Sequence, residues 1–146
     1  MNFGVGLVKT SRFDQVPRLL ADRHYSRTSV GNPQFVGPGR VIVLRDAAGL
    51  VVFAWRWQLK DRPDGRIGYE CAIFRNESKR LSSEIILEAA EFAALEWGPG
   101  PAFTYVDPLR VASENPGYCF KVAGWKSAGY SRSGKLALEK RIGVGP

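Results

Sequence analysis

The stretch from Ser82 to Trp97, SSEIILEAAEFAALEW, constrains the fold more than any other part of the chain. Ile85, Ile86, Phe92 and Leu95 recur as the apolar face of a helix, and Glu84, Glu88 and Glu91 fall at helical spacing on a solvated face. Ser82 or Ser83 can cap its start, Glu84 suits the positive N-terminal end, and Gly98-Pro99 stops it. Strand-like runs flank it, IGYECAIFRN before and AFTYVD after, the second broken by Pro108. An amphipathic helix between two strands implies helices packed on a sheet.

The other segments extend this pattern. Phe3 to Val8 alternates loosely and reads as a first strand, and FDQVPRLLADRHYS reads as a helix whose regular part begins near Pro17. RVIVLRD, AAG and LVVFAWRWQL form a hairpin, with Val51, Phe53, Trp55, Trp57 and Leu59 on one face and Arg56 and Gln58 on the other. A short helix around NPGYCFKVAGW precedes a final hairpin from KSAGYSRSG to KLALEKRI. The order is strand, helix, hairpin, strand, helix, strand, helix, hairpin. It predicts one α/β (α+β) domain over residues 1–146, with helices flanking a mixed, largely antiparallel sheet.

Lys and Arg number 21 against 14 Asp and Glu, giving a formal charge of +7 and a pI near 9.7. That balance favours a polyanionic partner such as nucleic acid. Candidate contacts to double-stranded DNA are Arg12, Arg18, Arg23, Arg27 and Arg40 around the first helix and loop, and Lys126, Arg132 and Lys135 around the last hairpin. Scattered cations also serve as ordinary solubilising surface, so clustering decides between the two readings. Cys71 and Cys119 lie far apart with no CxxC pair, which argues against a zinc knuckle and a disulfide framework. No apolar run suits a signal peptide or a membrane span, so a soluble cytoplasmic protein with no membrane partner is expected. A homodimer is compatible with the sequence.

His24 is the single histidine, set in Arg23-His24-Tyr25-Ser26-Arg27. By itself it reads as a helix-end cap or as part of a reaction site. Asp107 before Pro108 reads as a turn starter, and Tyr118 as an amphipathic core residue. The stretch NPGYCFKVAGWKSAGYS resembles the late helix of GNAT acyltransferases. In that frame Gly124 permits the turn out of the helix and Trp125 packs back on the core. The phenol that many GNAT enzymes use as a general acid falls on Phe120, with Tyr118 the nearest replacement. Where the family's glycine-rich turn cradles the coenzyme A diphosphate, this chain has Glu77-Ser78-Lys79-Arg80-Leu81-Ser82, without glycine. The resemblance implies acetyl-CoA or another acyl donor, near Ile73, Phe74, Lys79, Arg80, Ser82 and Ser83.

RHYSR, NPQFVGPG, YVDP and NPGYCF together resemble the Mom-like DNA-modification proteins of phages. These are GNAT-like and place an acetamido-type (carbamoylmethyl) group on N6 of adenine in duplex DNA. The resemblance implies His24, Tyr25, Asp107 and Tyr118 as the reacting groups. A base swung out of the stack calls for a stacking aromatic, with Phe35 or Trp57 as candidates, and Ser26 and Asn115 are further candidates to contact the substrate. It also raises iron, although one histidine is a poor ligand set for zinc or iron. Two other functions fit the sequence: a GNAT N-acyltransferase using acetyl-CoA on a small amine or protein, and a non-catalytic nucleic-acid-binding module.

Overall fold

Residues 41–58 form a hairpin because Asp46 closes its turn. The buried Asp46 carboxylate accepts the N–H groups of Leu50 (2.8 Å) and Val51 (3.0 Å), and Gly49 takes the left-handed conformation between them. The computed structural model describes residues 6–23, 39–58, 66–109 and 115–143. Its elements are β1 (Val8–Thr10), α1 (Gln15–Ala21), β2 (Val41–Arg45), β3 (Val51–Gln58), β4 (Gly68–Asn76), α2 (Ser82–Trp97), β5 (Gly100–Val106), α3 (Tyr118–Val122), β6 (Lys126–Tyr130) and β7 (Leu136–Ile142). They make a mixed α+β fold, one seven-stranded sheet in the order β1-β2-β3-β4-β5-β7-β6 flanked by helices. The element order matches the expected one. Among the described residues, no helix is long and apolar enough to cross a membrane.

The chain divides into two compact units, Met1–Trp57 with Cys71–Arg80, and Gln58–Glu70 with Leu81–Pro146; β4 contributes residues to both. In the first unit β1 pairs antiparallel with β2, and β2 with β3. The first strand is described over Val8–Thr10, which pairs with Arg45, Leu44 and Val43 of β2, and residues 3–5 of the expected Phe3–Val8 lie outside the described residues. Residues 51–55 of β3 are all buried, not only the expected face. Val52 and Ala54 pack with Leu20 and Ala21 of α1 and with Val43 and Ile73. The Phe53 ring, on the other face, lies 4.9 Å from Trp55 and 5.2 Å from Phe74.

Helix α1 starts at its N-cap Asp14 and carries Pro17 in its first turn, where the missing N–H costs nothing. It ends at Ala21, short of the expected extent. Asp14 accepts from Thr10 Oγ1 (2.8 Å), the Val16 N–H (3.0 Å) and an Arg45 guanidinium nitrogen (3.0 Å). Burial pushes its carboxyl up, but these bonds and the Arg45 charge outweigh that and hold it below its ordinary value. The group therefore stabilises the fold above the unfolded carboxyl range, about pH 4, and the contribution is lost as pH falls through the lower folded value. Asp14→Asn keeps an acceptor but removes the charge, and is expected to cost about 1–2 kcal/mol near neutrality. In thermal melts the gap to wild type closes toward about pH 2. An undiminished gap in acid contradicts this assignment.

In the second unit β4 pairs with β5 in parallel at Tyr69↔Ala102 and Glu70↔Phe103, β5 with β7 antiparallel along its length, and β6 with β7 antiparallel. Helix α2 has the expected bounds, but its N-cap is Leu81, with no side-chain cap bond, rather than Ser82 or Ser83. Its buried residues are Ile85, Ile86, Ala89 and Ala93, and Leu95 is 88% exposed instead of facing the sheet. Nine residues beyond Ile86, Leu95 is turned half a circle from it at 3.6 residues per turn. Gly98 ends the helix at positive φ, and the buried Tyr69 hydroxyl is shared between the Trp97 (3.0 Å) and Gly98 (2.8 Å) carbonyls. Helix α3 closes in a Schellman motif: the Trp125 N–H bonds the Phe120 carbonyl (3.0 Å) and the Gly124 N–H that of Lys121 (3.0 Å). Gly124 has the required positive φ, and Trp125 packs at 5.0 Å from the Phe120 ring, as the sequence implied.

Candidate functional site

At the exit of β4 in the first unit, Glu77 holds two arginines. Arg75 Nε lies 2.6 Å from one carboxylate oxygen and an Arg23 guanidinium nitrogen 2.8 Å from the other, while Arg75 also donates to the Arg23 carbonyl (3.2 Å). The Arg75 bond, with the charges of Arg23 and Arg75, keeps the Glu77 carboxyl below its ordinary range. This network fixes the residue that opens RHYSR, so the Arg23 guanidinium, named from sequence as a phosphate contact, meets a carboxylate. His24, Tyr25, Ser26, Arg27 and Phe35 lie outside the described residues.

The loop after β4 folds onto Asn76. Its Oδ1 accepts from the Ser78 N–H (2.9 Å) and Ser78 Oγ (2.6 Å), its Nδ2 donates to the Arg80 carbonyl (2.8 Å), and the Arg80 N–H donates to Ser78 Oγ (3.2 Å). The N–H groups of Ser78 and Arg80 are thus already engaged within the loop. It forms no glycine cradle for a diphosphate, as the glycine-free sequence of this loop implies. What remains for an anionic donor is charge, the exposed Lys79 and half-buried Arg80, followed by the opening of α2 at Ser82 and Ser83. The Ile73 side chain lies in the core cluster, leaving only its backbone for a ligand, and the half-buried Phe74 packs on Phe53. Asn76 escaped the sequence reading, although Asn-x-Ser after a strand is an Asx-turn pattern. Arg40, a further DNA candidate, lies over Trp57 at 5.1 Å from the ring centre, so one face of the intended stacking platform carries a guanidinium.

In the second unit Asp107 follows β5, and its Oδ1 accepts the Leu109 N–H (3.0 Å), the bond expected of a turn starter. Tyr118 opens α3, with its N–H on the Asn115 carbonyl (3.1 Å) and its side chain 60% exposed, so it is not a core residue. Asn115 Oδ1 accepts from Lys121 Nζ (2.6 Å). Asn115 and Tyr118 therefore share one turn, and residues 110–114, between them and Asp107, lie outside the described residues. Cys71 and Cys119 are thiols rather than disulfide partners, and burial pushes the Cys119 thiol up, away from reactivity. Among the described residues no group of three or more His, Cys, Asp or Glu side chains could hold a metal ion.

Sequence reading also missed a groove of about 420 Å³ lined by Arg66, Phe103, Lys126, Glu139, Lys140 and Arg141, among others. Of these only Lys126 was a candidate from sequence. Arg132, exposed, lies in the turn joining β6 to β7.

No protein-family model matches the sequence, and no curated protein matches it. Among solved structures, the chain is similar to the GNAT domain of S. lividans PAT, with a TM-score of 0.64 at 15% identity over 93% of this chain and 89% of that one. The seven-stranded sheet with its flanking helices is therefore a GNAT fold.

Proposed function

We propose that the protein is a GNAT-fold group transferase that acts on a base of double-stranded DNA, with adenine N6 as nucleophile and an acetamido- or carbamoylmethyl-type group transferred. The GNAT fold over nearly the whole chain carries the transferase part of this reading. The DNA acceptor is supported by the Mom-like motifs and by charge: residues 121–143 hold six Lys or Arg side chains and one carboxylate, or five of the net seven charges.

The chemistry needs a proton acceptor and an oxygen-directed donor. The N6 lone pair is delocalised into the ring, so Asp107 or His24 takes the N6 proton as the N–C bond forms. As the N–C bond forms, the bond from the transferred carbon to the donor's leaving group breaks, and the exposed Tyr118 phenol, or Tyr25, protonates the departing group. A base acted on in duplex DNA is swung out of the stack at a cost of about a few kcal/mol, and Ser26, Phe35, Trp57 and Asn115 are the candidates to contact it. Lys79 and Arg80 offer charge to an anionic donor, and no step is routed through coenzyme A.

The same fold favours a second reading, N-acyl transfer from acetyl-CoA to a small amine or protein. Mass analysis of nucleosides from DNA of cells making the protein, with acetyl-CoA calorimetry beside it, separates the two. A new adduct supports DNA modification. Unmodified DNA with tight acetyl-CoA binding supports the second reading, and unmodified DNA with intact DNA binding leaves only a binding module.

A further inference from the structure

The groove in the second unit lies where β4 and β5 begin, whereas Asp107 follows the end of β5. Six residues of extended chain separate Pro101 from Asp107, roughly 20 Å, so the groove is a different place from Asp107. It exists because β7 inserts between β5 and β6: Arg141 pairs with Pro101, and Glu139 with both Phe103 and Lys126. That register gathers three distant segments beside Arg66.

Two of the four cations there have structural roles. The Arg66 guanidinium donates to the Ala128 carbonyl (2.7 Å), lies 3.6 Å from Glu139 and sits over the Tyr105 ring. Lys140 Nζ donates to the Ala123 carbonyl (2.8 Å). The exposed Lys126 and Arg141 side chains make no hydrogen bond or ion pair among the described residues. With Glu139 the only carboxylate among the described lining residues, these residues carry an excess of positive charge with two cations available to an oxyanion.

We infer that this groove and the β6–β7 hairpin beyond it bind the phosphodiester backbone of nucleic acid. The charge is not confined to the cavity, since Arg132 and Lys135 stand exposed at the hairpin turn. A free nucleotide would fill the groove and leave these unused. From Lys126 to that turn the hairpin runs roughly 20 Å, a length that meets several phosphates of one strand at about 3.4 Å of axis each. Phosphate contacts of this kind position a duplex and do not read its sequence.

The inference names a contact surface for the DNA acceptor proposed above, and its test measures binding without catalysis. Anisotropy of a labelled duplex with the full chain, over a salt series, gives the slope of log affinity against log salt. Replacing both free cations (Lys126→Ala with Arg141→Ala) is expected to weaken binding about tenfold or more and to reduce the slope by about two. Lys126→Arg should retain wild-type binding, and Lys9→Ala, in the other unit, should leave the slope unchanged. A double variant with the wild-type slope overturns the inference. So does mononucleotide binding that needs Lys126 and Arg141 while duplex affinity does not. Adduct formation with an unchanged slope removes the groove but not the transferase; a reduced slope with no adduct removes the transferase but not the groove.

Discussion

Phe53→Ala is expected to lower unfolding free energy by about 3–5 kcal/mol, the range for truncating a fully buried aromatic ring. Phe53 is 0% exposed and touches both Trp55 and Phe74, so its removal leaves a cavity between two strands of the first unit. Neighbours in a sheet cannot close such a gap without distorting the β2–β3 pairing that Asp46 anchors. Leu95→Ala is the matching control, because that side chain faces solvent and its loss should stay within about 0.5 kcal/mol. Denaturant unfolding of the two variants checks both. Equal effects would mean that the burial described for β3 and α2 is wrong.

Asp107→Asn is expected to cut DNA adduct formation about a hundredfold or more, the usual contribution of a positioned proton acceptor. The choice of asparagine matters. Asp107 Oδ1 holds the Leu109 N–H, and an asparagine carbonyl can make the same bond, so the turn persists while the basic oxygen is lost. Asp107→Ala removes both. Full adduct yield in the Asn variant, with reduced stability in the Ala variant, would make Asp107 a turn former and leave proton acceptance to another group.

The features legible in the sequence were those set by local pattern. Helix α2 was bounded correctly because its periodicity and the Gly98-Pro99 stop lie within one stretch. The helix-ending role of Gly124 was legible through the resemblance to the GNAT late helix, and the Schellman geometry accounts for it by demanding positive φ at that position. Leu95 was misplaced because a helix with many apolar residues offers more than one candidate face, and packing chooses among them. Burial of β3 on both faces depends on α1, which no pattern within the strand reveals. Arg23 and Glu77 are 54 residues apart, so their ion pair left no local sign. The groove needs the β5-β7-β6 order to bring its segments together, and a hairpin read from sequence does not say which of its strands joins the rest of the sheet. The basic composition announced a polyanion without saying where it would lie.

The central claim, that a GNAT fold here transfers a group to adenine in DNA, is tested most directly on the product. DNA from cells producing the wild-type protein is digested to nucleosides, and each species is fragmented to its base by tandem mass spectrometry. The expected result is a species whose added mass stays with adenine, present with wild type and strongly reduced with Asp107→Asn. Ordinary deoxyadenosine alone, from cells containing folded wild-type protein, would contradict the claim.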